Sequence, residues 1–209
     1  MPESASPRHA AVVLAAGRSR RFGSPKPLLI VDGEPLVRRA VHAALATGPS
    51  RALVIVDAHA TAIRTALEDL AGIEFVECGD DRMAGSLRTG LLALDDRIDA
   101  ALVVLTDQPG LTAAHLQRLV EAWRTRPTNA AASTYAGTRG VPAILPRSWF
   151  ARLLGADAGD EGARALLRAA ATDIHDVEAP ELAFDIDTPQ DFQRWLEWRA
   201  RRLEPGGSH

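Results

Sequence analysis

The stretch that decides the fold is AAVVLAAGRSRRFGSPK, residues 10–26. Its apolar first half is typical of a buried strand, and small residues at the end of a strand let a ligand approach the backbone closely. Three arginines and a lysine follow within the nine residues 18–26, and free amide groups in such a loop can bind anionic oxygens. We therefore expect this strand and loop to bind a polyphosphate.

Neither common phosphate-binding fingerprint fits the loop. The spacing from Gly17 to Gly23 lacks the GK[ST] ending of a P-loop, and no GxGxxG occurs there. The order LAAGxSxRxGxxK instead resembles the nucleotidyltransferases of the molybdenum cofactor family. It resembles their cytidylyltransferase branch more closely than their guanylyltransferase branch.

The resemblance extends along most of residues 10–196, because five further segments look like that branch and occur in its order. They are AGSLRTGL (84–91), LTDQP (105–109), GVPAIL (140–145), GDEGAR (159–164) and DIDTP (185–189). Each segment is weak by itself, since LTDQP alone fits any strand end followed by a turn. Their shared order makes a chance match improbable.

The composition is that of one globular domain. The chain has 209 residues, of which 46% are hydrophobic and 24% charged, and this is enough for one sizeable core. We expect a single domain over residues 9–203, with disordered tails at 1–8 and 204–209. The net charge of −3 disfavours a general nucleic-acid or membrane-surface binder, because such proteins carry a basic excess.

The cysteine count and the start of the chain bear on the compartment. Cys78 is the one cysteine, so no disulfide can form within the chain, and no apolar run approaches the length of a membrane span. Residues 1–9 are polar, unlike a signal peptide. We therefore expect a cytoplasmic protein.

Central parallel strands, covered on both faces, are predicted by three nearly continuous apolar runs at 11–16, 52–56 and 100–105. We expect helices over 35–46, 60–70, 86–94, 112–123, 149–154, 160–170 and 189–203, and further strands over 130–135, 142–145 and 173–177. This alternation predicts an α/β fold, a doubly wound, mostly parallel sheet in three layers, with ligands beyond the carboxyl ends of the strands. The resemblance implies the nucleotide-diphospho-sugar transferase type of this fold.

Two acidic segments are candidates for a metal site. Asp107 directly follows a predicted central strand, where a carboxylate suits Mg²⁺, although it could simply start the following turn. Asp185 and Asp187 are two apart in an extended segment and therefore share a face. We prefer Asp187 as the second ligand, because the resemblance implies a metal ligand at that corner. The alternative is that Asp187 or Thr188 only caps the last helix.

The resemblance also implies which residues bind the nucleotide. Lys26 stands between two prolines, and a lysine on such a stiff, extended stretch suits a fixed charge over a phosphate. Arg21 is the strongest of the loop arginines by the family pattern, and we expect Lys26, Arg21 and Asp107 to be the catalytic residues. Ser86 is the first residue of a predicted helix, so its alternative role is an ordinary N-cap. The implied nucleotide-binding residues are Leu14, Ala15, Ala16, Gly17, Arg18, Lys26, Gly85 and Ser86.

The second substrate is less closely defined by the sequence. The resemblance implies that Gly140 and Pro142 shape its wall and that Arg164 reaches an acceptor phosphate, unless Arg164 pairs with a surface acid. Val141 stands where the branch usually has a polar residue, which leaves the acceptor open. Gly110 stands where the family more often has an apolar residue, and we expect it to loosen the turn after Asp107.

The reaction implied by the resemblance is transfer of CMP from CTP to the terminal phosphate of the molybdopterin form of the molybdenum cofactor, assisted by Mg²⁺. Pyrophosphate would be released, and a client molybdoenzyme would be a further partner. Two alternatives stay open. One is transfer to another phosphorylated small molecule such as a sugar phosphate, and the other is a non-catalytic carrier of the cofactor.

Overall fold

The computed structural model describes residues 6–16, 25–57, 60–80, 82–155, 163–169, 173–186 and 188–203. Four of the predicted site residues, Gly17, Arg18, Arg21 and Asp187, lie outside these ranges. Arg8, assigned to the N-terminal tail from the sequence, is held by reciprocal hydrogen bonds with Asp99, each of 2.8 Å. Within the described ranges, every helix is too short or too polar to cross a membrane.

Strands and helices alternate along the chain. The strands are β1 (His9–Leu14), β2 (Ile30–Val31), β3 (Glu34–Pro35), β4 (Arg51–Val56), β5 (Glu74–Glu77), β6 (Ala100–Leu105), β7 (Ala130–Tyr135), β8 (Thr138–Pro146) and β9 (Ile174–Glu178). The helices are α1 (Leu36–Leu45), α2 (Thr61–Ala66), α3 (Met83–Leu92), α4 (Ala113–Thr125), α5 (Phe150–Leu154), α6 (Ala163–Ala169) and α7 (Pro189–Leu203). Short 3₁₀ turns lie at Lys26–Leu28, Arg147–Trp149 and Pro180–Ala183.

Seven strands form one sheet in the order β5-β4-β1-β6-β8-β7-β9. β1 pairs in parallel with β4 and β6, β4 with β5, and β7 with β9, while β8 runs antiparallel to both of its neighbours. β2 and β3 form a separate hairpin. The predicted mostly parallel, three-layer sheet is therefore confirmed.

The core lies on both faces of this sheet because alternate strand residues point in opposite directions. From β1, Ala11 and Val13 pack toward α1 and α4, whereas Val12 and Leu14 pack toward α3 and α6. β1 and β6 are buried along their whole length. Covering both faces explains why their sequences are continuous apolar runs.

Two strand pairs were not predicted from the sequence. The β2–β3 hairpin turns through Asp32 and Gly33, with φ angles of 55° and 81°. Aspartate and glycine tolerate such positive angles, but two-residue strands leave too little alternation to recognise. β5 begins and ends in exposed glutamates, as edge strands often do.

The start of α3 corrects one expectation. The helix begins at Met83, so Ser86 is in its first turn and is not the N-cap. The Ser86 hydroxyl instead donates to the Arg82 carbonyl at 3.2 Å. By contrast, Thr112 caps α4 as expected, accepting from the His115 N–H at 3.2 Å.

Candidate active site at the carboxyl edge of the sheet

The carboxyl edge is the rim of the sheet where β1, β4 and β6 end. Leu14 and Leu105 are paired at the ends of β1 and β6, and the Ala15 N–H continues the ladder by donating to Ile55 O at 2.9 Å. The Thr106 hydroxyl approaches the Leu14 carbonyl at 3.4 Å. The predicted nucleotide-binding strand end therefore lies beside the turn that carries Asp107.

Asp107 and Asp185 are brought together by a backbone contact. The Ile186 N–H donates to the Asp107 carbonyl at 3.0 Å. Ile186 itself is fully buried in a small cluster with Leu36 and Trp195, which anchors the segment. The Oδ1 atoms of both aspartates are shielded from solvent. Two carboxylates, 78 residues apart in sequence (185 − 107), thus share one corner of the site.

The helix cap next to this corner is supplied by Thr188. Its hydroxyl accepts from the Asp191 N–H at 3.2 Å, and the Asp191 carboxylate accepts from the Thr188 N–H at 2.7 Å. This reciprocal arrangement is a capping box that satisfies helix donors. Thr188 therefore caps α7, and Asp187 is not needed for that purpose.

Gln108 and Tyr135 meet at the carbonyl of Val141. The Tyr135 hydroxyl donates to Val141 O at 2.8 Å, and Gln108 Nε2 donates to the same oxygen at 3.1 Å and to Tyr135 Oη at 3.3 Å. A Cβ on Gly140 would lie 2.5 Å from Tyr135 Oη, so glycine makes room for this hydroxyl. Burial, followed by the charge of Asp185, raises the pKa of Tyr135.

Neither Tyr135 nor Gln108 was predicted as a site residue. Tyr135 is the only tyrosine and stands at the end of β7, but its sequence neighbours carry no signal. Gln108 belongs to the LTDQP motif that was used for Asp107 alone. Only the contact between β7, β8 and the turn after β6 shows that the two side chains act together.

Arg164 faces Asp185 at the start of α6. Its Nη2 lies 3.8 Å from Asp185 Oδ2, so the structure shows pairing with an acid. Beside it is an apolar pocket that contains the side chain of Val141. The pocket is lined by Leu14, Met83, Ala84, Leu87, Val103, Val141, Ala163 and Arg164. Valine at position 141, where the branch usually has a polar residue, therefore suits the apolar lining of this pocket.

The start of α3 holds a carboxylate that was not predicted. Asp80 Oδ1 accepts from the Arg82 N–H at 3.0 Å, and hydrogen bonding to the Arg82 side chain lowers the pKa of Asp80. A Cβ on Gly85 would lie 2.3 Å from the Asp80 carboxylate. Gly85 thus permits a close approach, and the residue it accommodates is Asp80. Ser86 is completely buried.

Lys26 corrects the expected local conformation. It begins the 3₁₀ turn Lys26–Leu28, which is closed by the Leu29 N–H donating to Lys26 O at 3.0 Å. Pro27 is buried, and the fixed φ of proline is compatible with a 3₁₀ turn as well as with an extended chain. The lysine is therefore held on a turn instead of an extended stretch.

The architecture is that of the nucleotidyltransferases, three layers around a mostly parallel sheet. The chain belongs to the family of the MobA-like NTP transferase domain, whose family model matches residues 11–176.

Relatives in this family carry different names. The 2-C-methyl-D-erythritol 4-phosphate cytidylyltransferase of Xylella fastidiosa is 30% identical over 92% of this chain and 97% of its own length. The nicotine blue oxidoreductase of Paenarthrobacter nicotinovorans is 30% identical over 88% of this chain and 95% of its own.

Solved structures agree with the fold at full length. The crystal structure of Rv0371c from Mycobacterium tuberculosis H37Rv superposes with a TM-score of 0.79 at 28% identity, covering 92% of this chain and 99% of that one. A complex of the same protein with manganese superposes with a TM-score of 0.73 at 28% identity, covering 91% of this chain and 98% of that one.

Proposed function

We propose that this protein transfers CMP from CTP to the terminal phosphate of the molybdopterin form of the molybdenum cofactor. The observation that carries the proposal is the pair of carboxylates at the carboxyl edge, with Asp185 tied beside Asp107 in a chain of the NTP transferase family. The choice of donor and acceptor rests on the order of the motifs between residues 10 and 196. Their sequence resembles the cytidylyltransferase branch of the molybdenum cofactor enzymes.

The chemistry is an in-line displacement at the α-phosphorus. An oxygen of the acceptor phosphate forms a bond to this phosphorus as the bond to pyrophosphate breaks, and no covalent enzyme intermediate is needed. The chain contributes positioning and charge neutralisation, which are the main sources of catalysis in such transfers. Lys26 and Arg21 offset charge on the departing pyrophosphate.

The remaining predicted residues orient the two substrates. The strand end at Leu14, Ala15 and Ala16 admits the nucleotide, and we assign Gly17, Arg18, Gly85 and Ser86 to the same substrate from the motifs. Gly140 and Pro142 shape the acceptor side through the backbone of β8. Arg164, which is paired with Asp185, supplies the positive charge for the acceptor phosphate.

Mg²⁺ is the metal that we propose for this site. Asp107 together with Asp187 or Asp185 would hold it, and the bound ion supplies charge neutralisation at the phosphate oxygens. Mg²⁺ commonly takes one or two carboxylates and completes its shell with water and phosphate. The described ranges contain no group of three acidic, histidine or cysteine side chains placed for a metal, and the carboxylate pair fits an ion with so few protein ligands.

The decisive variant is Asp107→Asn, which keeps the shape of the side chain and removes its charge. We expect pyrophosphate release from CTP, Mg²⁺ and molybdenum cofactor to fall at least about 100-fold, because metal organisation contributes several kcal/mol to transition-state stabilisation. The fold should persist, since Asp107 is only partly buried at a strand end. Circular dichroism and coupled pyrophosphate detection measure the two properties.

The control is Asp96→Asn. The Asp96 side chain is 99% exposed and pairs with Arg147 in the loop before β6, at the opposite edge of the sheet. This variant should turn over like the wild type. Full activity of a folded Asp107→Asn protein would refute the assignment of Asp107 to the metal.

The same assay separates the alternative functions. Turnover with 2-C-methyl-D-erythritol 4-phosphate, the substrate named in the Xylella fastidiosa relative, or with sugar phosphates would keep the chemistry and change the acceptor. Tight binding of molybdenum cofactor without any pyrophosphate release would favour a carrier. Mass spectrometry of the product, looking for the cytosine dinucleotide cofactor and any transfer to a client molybdoenzyme, identifies the acceptor directly.

A further inference from the structure

The register of β8 breaks beside the candidate site. Ala143 pairs with Ala132 of β7, but the next pair along is Gly140 with Ser133. Val141 and Pro142 therefore fall outside the paired register and form a bulge. Pairing of β8 with β6 also stops at Ala143, so the bulge lies next to the end of β6 that leads into Asp107. Bulges close to active sites are commonly retained because they re-aim a strand.

Side chains satisfy both carbonyls of the bulge. Val141 O accepts from Tyr135 and Gln108 at 2.8 and 3.1 Å, and Pro142 O accepts from the Ser133 hydroxyl at 2.5 Å. Because an unpaired buried carbonyl costs free energy, these donors decide whether the bulge keeps its shape. We call Tyr135 and Gln108, with the carbonyl that they share, the bulge brace.

The two donors of the bulge brace have different neighbours. Gln108 directly follows Asp107 in the chain, so its hydrogen bond to Val141 O also holds the turn that carries the Asp107 carboxylate. Tyr135 comes from the end of β7 and lies where the charges of Asp185, Arg164 and Asp107 all act on its hydroxyl. Removing the Tyr135 hydroxyl leaves the Gln108 donor on Val141 O. The carboxylate turn then keeps its contact with the bulge, while the bulge loses the hydroxyl that ties Val141 O to the end of β7.

We propose that Tyr135 is a positioning residue for the acceptor, because its hydroxyl fixes the β8 bulge that forms the acceptor side of the site. This inference rests on the proposed function for the identity of the acceptor. It adds which of the two substrates depends on the Tyr135 hydroxyl. The Tyr135 hydroxyl sets acceptor affinity and has no part in holding the nucleotide.

The test is Tyr135→Phe, compared with Thr134→Val. The phenylalanine keeps the ring and removes one of two donors to Val141 O. The control removes a hydroxyl from the adjacent residue of β7, outside the bulge brace. For Tyr135→Phe we expect the KM for molybdenum cofactor to rise about tenfold, in line with the loss of one hydrogen bond. The kcat, the affinity for Mg²⁺·CTP by calorimetry and all constants of Thr134→Val should stay at wild-type values.

Three results would overturn the inference. They are an unchanged KM in Tyr135→Phe, an equal loss of CTP affinity, or the same rise of KM in Thr134→Val. The single tyrosine provides an independent reading, because ring-labelled tyrosine gives signals from one residue only. Addition of molybdopterin to the wild type should shift those NMR signals, and binding without a shift would also contradict the inference.

Failure of the proposed function is recognised separately. If the wild type binds molybdopterin in equilibrium dialysis but releases no pyrophosphate, the transfer activity is wrong. The inference then stands or falls on whether Tyr135→Phe binds molybdopterin about tenfold more weakly. If the wild type binds no molybdopterin, both are refuted.

Discussion

Two glycines near the candidate site are required by their protein neighbours. A Cβ on Gly140 would lie 2.5 Å from Tyr135 Oη, and one on Gly110 would lie 2.2 Å from the carbonyl oxygen of Glu181. The sequence interpretation took Gly140 as substrate wall and Gly110 as a loosened turn. The Gly110 contact joins segments 71 residues apart (181 − 110), and the Gly140 contact depends on the irregular pairing of β7 with β8, so the sequence pattern revealed neither. Asp107 could be proposed from the sequence because its position after a buried strand is itself a local pattern.

Gly110→Ala tests the close approach at the turn after Asp107. The new methyl group would meet backbone at 2.2 Å, which cannot move as freely as a side-chain end. We expect a loss of about 1–3 kcal/mol in the free energy of unfolding, as for other overpacked sites, measured by urea denaturation. Gly79→Ala is the matched control, since a Cβ there would meet nothing within 4 Å. Equal stability of the two variants would show that the Glu181 segment shifts without cost.

Ala16→Gly tests the preference for the base. The guanine-using branch of the family that the motifs resemble typically has glycine at this position, unlike this chain, and Ala16 is partly buried against the core beneath the strand end. We expect its methyl group to disfavour a purine, although one methyl-sized difference is worth only about 1–3 kcal/mol. We expect wild type to prefer CTP over GTP and the variant to narrow that ratio. Steady-state rates with the four common triphosphates provide the comparison. If the wild type used GTP better than CTP, this result would defeat only the assignment to the cytidylyltransferase branch.

At the scale of elements, the longer and more deeply buried strands were the ones that could be predicted from the sequence. The strands β1, β4 and β6 were predicted because apolar runs of five or six residues covered on both faces have a recognisable composition. The start of α3 was placed three residues late (86 − 83), since Ser86 is a good cap by type but its hydroxyl bonds to the Arg82 carbonyl instead. The bulge in β8 could not be predicted, because its shape depends on donors from β7 and from the turn after β6.

At the scale of the whole molecule, the two edges of the sheet are built differently. At the amino edge, arginines hold backbone and carboxylates together, as in the contacts of Arg147 with the carbonyls of Asp95 and Ile98 at 2.8 and 3.1 Å. The carboxyl edge instead presents small residues, Ala15 and Ala16, beside the carboxylate turn. A rim held by arginine contacts on one side and a rim of small residues on the other suit a fold that binds ligands at the carboxyl ends of its strands.

Two buried histidines on the α4 face of the sheet make the stability of the whole fold depend on pH. His9 begins β1, and its Nε2 is 2.9 Å from the Thr47 hydroxyl, which itself donates to Ala44 O at 2.7 Å. His115 lies in α4 with Nε2 2.7 Å from Ser133 Oγ, while Arg118 donates to its Nδ1 at 3.1 Å. Since both hydroxyl hydrogens are used elsewhere, each imidazole carries a proton on Nε2, and the Arg118 N–H at Nδ1 requires the ring of His115 to be neutral.

Acid should therefore destabilise the protein before its carboxylates titrate. Burial, aided by Arg124 for His9 and Arg118 for His115, lowers each pKa from 6.5 to about 4. In this window the unfolded chain binds more protons than the folded one, so the free energy of unfolding rises with pH. The stabilisation is complete above about pH 6.5 and is lost as pH falls toward 4, by roughly 3 kcal/mol for each histidine at most.

Urea denaturation between about pH 7.5 and 4.5 measures how steeply the free energy of unfolding depends on pH. His9→Gln keeps a donor for Thr47 without a titrating ring, and it should reduce the slope by about half. A wild-type free energy of unfolding that stays constant across this range would show that the imidazoles accept protons without disturbing the fold.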